Sequence, residues 1–274
     1  MRAAFASRAS AIPQRVASDP ALFAVSALLF VASAALTIAL YAPMSARGGM
    51  AMPGGSTMSM TWMRIPGQTW SAAASSFIGM WAVMMVAMML PSLVPMLWRY
   101  RRVVRGASGR RLGWLTALVG AGYFLVWTMA GVAAYATGVA LAEVALRQPA
   151  LARLAPIAVG AVVLIGGALQ FTAWKARHLA CCRRAARPNH TLPADAATAL
   201  RQGLRLGVHC THCCAGLMAI LLVVGVMDLR VMAAVTACIT AERLVPGGER
   251  VARAIGAVIV GAGVLLILRG AGGG

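Results

Sequence analysis

Residues 76–98 read SFIGMWAVMMVAMMLPSLVPMLW, a run without one charged side chain that ends against Arg99, Arg101 and Arg102. A helix needs about 20 apolar residues to cross the hydrocarbon core of a bilayer. This run is long enough, and the arginines behind it stand where a membrane helix holds its charge. Six further stretches follow the same pattern: Leu22–Tyr41, Trp114–Ala140, Leu154–Trp174, Val208–Met227, Val231–Val245 and Val251–Leu268. The expectation is an all-α, polytopic transmembrane helix bundle of about seven spans, forming one membrane domain over residues 1–274. The first span follows basic residues, as a signal peptide would. Its apolar run is longer than such a peptide uses, so it is expected to be a retained anchor.

Composition supports the bundle. Hydrophobic residues make up 61% of the chain and charged residues 11%, against about 25% charged in soluble domains. The formal net charge of +19 suggests nucleic acid at first sight. The arginines occur in short clusters between apolar runs instead, which points to a lipid bilayer as the partner and to no nucleic acid. With the N-terminus cytoplasmic, the inner segments hold most of the Lys and Arg, around Arg2–Arg15, Arg99–Arg111, Lys175–Arg205 and Arg243–Arg253. The outer segments hold only Arg47, Arg64, Arg147, Arg153, Arg230 and Arg269. Positive residues stay inside, so a multi-pass protein of a bacterial inner membrane is expected. Residues 175–206 then form a basic cytoplasmic loop. Its second half, from a candidate N-cap at Asp195, is either a short helix on the membrane surface or a solvated basic loop.

All six cysteines fall between Cys181 and Cys238, near the cytoplasmic ends of their spans. That compartment is reducing, so disulfides explain them poorly, and thiols grouped with imidazoles suggest a metal. The densest segment is His209-Cys210-Thr211-His212-Cys213-Cys214. On a helix, Cys210 and Cys214 share a face, as do His209 and Cys213. Cys210 and Cys213 also stand at the C-x-x-C spacing of metal clips. A second clip pairs His178 with Cys182 at the end of the fourth span. Antiparallel neighbours would bring both clips to one depth. Cys238 and Glu242 form a further i,i+4 pair. Cys238 also suits plain packing, and Glu242, beside Arg243, suits either function or the interface.

Soft donors continue on the outer side. Met44, Met50, Met52, Met58, Met60 and Met63 crowd a Gly/Ser-rich outer loop, residues 42–75. Thioether is a soft ligand that selects Cu(I); the competing reading is a loop resting on the membrane. In the second span Met80, Met84 and Met88 form one line and Met85 and Met89 the next. Methionine on a helix is usually packing. Here the line, and Met84, Met88 and Met89 in particular, would lead from the outer loop toward the thiols.

Four segments carry a family resemblance: Trp81 with Ala87–Ser92; Gly122-Tyr123 with Val126-Trp127; Gln170–Lys175 with His178-Leu179 and Cys182-Arg183; and Gly207, Cys210, Cys213-Cys214, Leu217-Met218, Gly225–Met227 and Glu242. Together they resemble a bacterial family of predicted metal-binding integral membrane proteins. The family has cysteine where this chain has His178, which the resemblance implies is a ligand. It has glycine at His212 and usually tryptophan at Ala215, which weighs against His212 as a shared ligand. The expected site comprises Cys210, Cys213, Cys214, Cys182, His178, His209, Glu242, Met84, Met88 and Met89. The leading expectation is Cu(I) handling: uptake, transfer, or delivery to a cuproenzyme, with a copper chaperone as a further partner. A membrane thiol-redox enzyme and a structural zinc site are the alternatives. Hydrolytic motifs such as the P-loop, G-x-S-x-G and H-E-x-x-H are absent from the sequence.

Overall fold

The computed structural model describes residues 19–46, 50–51, 57–58, 67–104, 106–148, 154–184, 192–226 and 228–272. Its eight helices are α1 (Pro20–Ala46), α2 (Trp70–Val103), α3 (Gly109–Arg147), α4 (Ala155–Leu169), α5 (Ala173–Arg184), α6 (Ala196–Gly225), α7 (Leu229–Leu244) and α8 (Gly248–Gly272). A two-residue antiparallel ladder pairs Met50–Ala51 with Thr57–Met58. The rest of the expected Met-rich stretch up to residue 66, its side chains included, lies outside the described residues, as do the residues before Asp19 and His190.

Among the described residues, five helices are long and apolar enough to cross a membrane: α1, α2, α3, α6 and α8. The bent pair α4/α5 makes six if counted as one span. α7 has only 16 residues, fewer than a full crossing needs, so five or six of the seven expected spans stand as full-length crossings among the described residues. Large apolar side chains stand exposed all along the bundle, among them Leu28, Val31, Trp114, Leu141, Val258 and Leu268. Soluble monomers rarely expose apolar surface on this scale; hydrocarbon accommodates it.

The expected second span extends at both ends. Thr69 caps α2, its hydroxyl accepting the Ala72 N–H at 3.2 Å, and the helix runs from Trp70 to Val103 through Pro91 and Pro95. Its buried face, Met84, Met85, Met88, Met89 and Leu93, forms the centre of the core. α3 packs antiparallel to α2. Trp81 Nε1 donates to the Trp127 carbonyl at 2.9 Å, and the Trp81 ring lies over Gly131, where a Cβ would collide with it.

Residues 175–206 are helical at both ends rather than a continuous loop. Asp195 does cap a helix, accepting the Thr198 N–H at 2.8 Å. That helix is α6, which runs on unbroken through the thiol segment to Gly225. α6 lies parallel to α3, because paired contacts advance together along both chains: Gly203 meets Val119, and Gly207 meets Tyr123 and Val126. Small residues permit this approach, as at many membrane helix interfaces. A Cβ at Gly207 would come within 2.9 Å of the Tyr123 carbonyl.

The expected fourth span is broken. α4 ends at Leu169 and α5 leaves at 62°. Thr172 serves both sides of the break. Its hydroxyl donates to the Leu169 carbonyl at 2.7 Å and accepts the Lys175 N–H at 3.2 Å. α4 also packs antiparallel to α8 through Gly160, Gly167 and Gly263, and touches α6 where Gly166 meets Gly216. The bend therefore sends α5 across the end of the bundle.

Several ties gather the basic segments at one end. Asp19 pairs with Arg101 at 2.6 Å. Arg111 donates to the Ala194 carbonyl at 2.7 Å. Leu192 N–H bonds to the Val103 carbonyl at 3.3 Å. Arg183 donates to the carbonyls of Glu242 and Val245, closing α5 onto the turn between α7 and α8.

Candidate functional site

The bend at Thr172 brings α5 against the part of α6 that carries the thiols. Cys182 of α5 and Cys210, Cys213 and Cys214 of α6 are all buried free cysteines. Their thiols adjoin in sequence: Cys182 with Cys213, Cys213 with Cys214, and Cys214 with Cys210. The four cysteines expected from two separate segments thus form one continuous row. Among the described residues no three His, Cys, Asp or Glu side chains are arranged to close around a metal ion.

Two buried cations stand against this row. Arg243, on the last turn of α7, donates from Nη2 to Cys210 Sγ at 2.8 Å and to Cys214 Sγ at 3.2 Å. Its Nη1 donates to Ser92 Oγ of α2 at 3.1 Å. Lys175 Nζ donates to the Cys213 carbonyl and to Glu242 Oε2, both at 2.7 Å. Glu242 is fully buried, and its Oε1 has no hydrogen-bond partner among the described residues. Cys238 and Glu242 lie one turn apart on α7, and the Glu242 carboxylate is held by Lys175. Tyr123 of α3 completes the surround, its hydroxyl 2.9 Å from Cys210 Sγ. Cys238 is half-buried and Cys181 exposed.

The imidazoles form a neighbouring patch. His178 and His209 approach with their Nδ1 atoms 3.5 Å apart. His212 stacks on His178 with ring centroids 5.1 Å apart, and Trp174 stands edge-on to His178 at 4.8 Å. His178 and His209 are half-buried and His212 is exposed. No hydrogen bond joins an imidazole to a thiol among the described residues, so α6 presents thiols inward and imidazoles outward. Met84, Met88 and Met89 are buried on α2, and Tyr41 donates to Met84 Sδ at 3.6 Å. Met89 connects to the thiol row only indirectly: Ser92, which holds Arg243, bonds back to the Met89 carbonyl at 3.0 Å.

Lys175, Arg243, Tyr123 and Ser92 were not anticipated as site residues. Each lies in or beside a motif segment, but Lys175 and Arg243 read as interfacial charge. Burial of a lysine or arginine is invisible in a basic stretch. Only contact with sulfur and carboxylate reveals it.

Buried charges need partners, and thiolates are soft ligands suited to copper. A row of thiols with two built-in cations is therefore a candidate site for a soft metal ion. No curated protein and no solved structure matches this chain. A family model described as PpoB2, copper chaperone, matches residues 78–266, from within α2 to within α8, and so includes every residue of the site. By that match, over well more than half its length, the chain belongs to the PpoB2 copper chaperone family.

Proposed function

We propose that the protein is a membrane-embedded Cu(I) carrier that holds the ion between pairs of the sulfurs of Cys182, Cys213, Cys214 and Cys210 and passes it on to a copper enzyme under assembly. The observation that carries this is the unbroken row of four thiols in a chain of a copper chaperone family. Cu(I) is satisfied by two thiolates, so adjoining pairs suffice and transfer proceeds by exchanging one sulfur at a time. Such a centre carries net charge −1. Arg243, already hydrogen-bonded to two of the sulfurs, cancels it, which makes the loaded site tolerable inside a bilayer.

Lys175 and Glu242 act by position, fixing the backbone at Cys213. His178 and His209 are the outward donors from which the thiol row is reached. Met84, Met88 and Met89 offer further soft ligation along α2, and the methionines of segment 42–75 are soft donors for the opposite membrane face. The topology in this proposal is the one with a cytoplasmic N-terminus in a bacterial inner membrane. The bent pair α4/α5 and the short α7 bring the crossings to seven. The clustering of basic segments at one end of the bundle supports that sidedness.

Metal analysis tests the proposal. The full chain is purified in detergent under reducing conditions with copper supplied, beside Cys210→Ser/Cys213→Ser/Cys214→Ser. Near-stoichiometric copper in the first and its loss in the second are expected. A metal-free wild type refutes the proposal, and zinc in place of copper moves the site to the structural alternative. The adjoining sulfurs also favour one second reading, a thiol-redox couple at Cys213 and Cys214. Thiol trapping separates the two, because a copper site is protected by metal and needs no disulfide.

A further inference from the structure

A cavity of about 630 Å³ opens at the basic end of the bundle, between α2, α5, α7 and the start of α8. Its size lies within the roughly 300–1,000 Å³ range of small-molecule sites. Four arginines line it, Arg99, Arg183, Arg243 and Arg250, against one carboxylate, Glu249. None of the four is in an ion pair among the described residues. Arg183 is held by backbone carbonyls and Arg243 by sulfur and Ser92. Cys182 also lines the cavity, and it is the first member of the thiol row.

Arginines at this end of a membrane protein ordinarily hold its orientation and face water or headgroups. Here they converge on a cavity that reaches a cysteine. That field repels a bare copper cation and attracts an anion. The cavity therefore fits copper that arrives already complexed.

We propose that this cavity is a docking vestibule for an anionic Cu(I)–thiolate complex, carried by a small thiol that bears carboxylates, and that Cys182 is the first residue to take its copper. This rests on the thiol row being the copper site. In the exchange the Cys182 sulfur bonds to copper, and one bond from copper to a carrier sulfur breaks. The Cys182 proton moves to the departing carrier sulfur, which leaves as a thiol. Copper stays Cu(I) throughout, so no oxidant or reductant is consumed. The same exchange then moves copper from Cys182 to Cys213.

The test uses the full chain, reduced and metal-free, in nanodiscs of neutral lipid. Cu(I) is offered either as its anionic bis-glutathione complex or as its cationic acetonitrile complex, and protein-bound copper is followed in time. Wild type is expected to load faster from the glutathione complex, and increasingly so at low salt. Arg99→Gln/Arg250→Gln is expected to slow that loading about tenfold, within the range of electrostatic steering, and to flatten its salt dependence. Loading of the same variant from the cationic acetonitrile complex is expected not to slow, because the field that repels a cation is weakened. Cys182→Ser is expected to slow loading from glutathione with the arginines in place.

Equal slowing from both donors, or no slowing from either, overturns the vestibule. If phosphatidylglycerol in the nanodisc abolishes the preference, the cavity takes a lipid headgroup and the assignment to a copper carrier is likewise overturned. Retention of copper from acetonitrile but not from glutathione removes the vestibule and leaves the thiol site standing. Retention from neither donor overturns the thiol site and this inference with it.

Discussion

Replacing Lys175 by methionine removes one half of a buried ion pair. Nζ lies 2.7 Å from Glu242 Oε2, and the two side chains are 4% and 1% exposed. The other carboxylate oxygen has no hydrogen-bond partner among the described residues, so in Lys175→Met neither oxygen is satisfied. Breaking a buried pair in this way costs about 3–5 kcal/mol. The carboxylate has an escape, which is to take up a proton. For an ordinary glutamic acid at neutral pH that costs about 3.7 kcal/mol, from roughly 2.7 pH units at 1.36 kcal/mol each. Proton uptake therefore caps the electrostatic part of the loss, and the hydrogen bond from Nζ to the Cys213 carbonyl adds about 1 kcal/mol. A loss near 4 kcal/mol is expected for Lys175→Met. Lys175→Met/Glu242→Gln should recover most of the electrostatic part, because a neutral amide replaces the orphaned charge.

Equilibrium unfolding in mixed micelles of rising dodecyl sulfate content measures both variants, and pH checks the mechanism. In Lys175→Met the folded state binds a proton that the unfolded state releases. The single variant should therefore gain stability as pH falls from 7 toward the ordinary carboxylate range, by about 1.4 kcal/mol per unit, while the double variant stays flat relative to wild type. A single variant within 1 kcal/mol of wild type, or a double variant no better than the single, would refute the buried pair.

Three further outcomes follow from the geometry. Gly203→Ala places a Cβ against the Val119 backbone and should destabilise the α3–α6 contact by about 1–3 kcal/mol, read by the same unfolding assay; Gly79→Ala, where a Cβ meets nothing within 4 Å, is the control. His178→Ala/His209→Ala changes the outward imidazole patch and leaves the thiol row in place, so bound copper should fall less than twofold by metal analysis while Trp174 fluorescence loses its response to copper; loss of all copper would place the primary site on the imidazoles. The Thr198 N–H holds the Asp195 carboxyl below its ordinary range, so the cap contributes stability above the ordinary carboxylate range and loses it as pH falls through the lowered value. Protection factors at the first turn of α6, taken against the intrinsic exchange rate at each pH, should drop on that fall in wild type and be low already at neutral pH in Asp195→Ala.

Much of the helical framework was legible in local sequence. Runs such as 76–98 are long and uncharged, and the cost of an unpaired peptide group in hydrocarbon leaves helix as the form they take. Where the expectation failed, local hydropathy was the wrong guide. Residues 196–206, interrupted by arginines, read either as a short surface helix capped by Asp195 or as a basic loop; they are helical, and they form the first turns of α6 rather than a separate element. Residues 154–174 looked like one span because hydropathy does not register a bend that the Thr172 hydroxyl stabilises from both sides.

The site divides along the same line. The sequence by itself determined which residue types are present, that Cys210, Cys213 and Cys214 share a helix at contact spacing, and that Cys182 sits on a second segment in range of them. Those are consequences of helical period and chain order. Only the tertiary structure decided that Cys182 meets Cys213, that His178 and His209 turn to one another, and that Arg243 and Lys175 face sulfur and carboxylate rather than headgroups. Each of those contacts depends on the register between helices. Close approaches at Gly203, Gly207 and Gly166 set that register, and no period within a single helix encodes it.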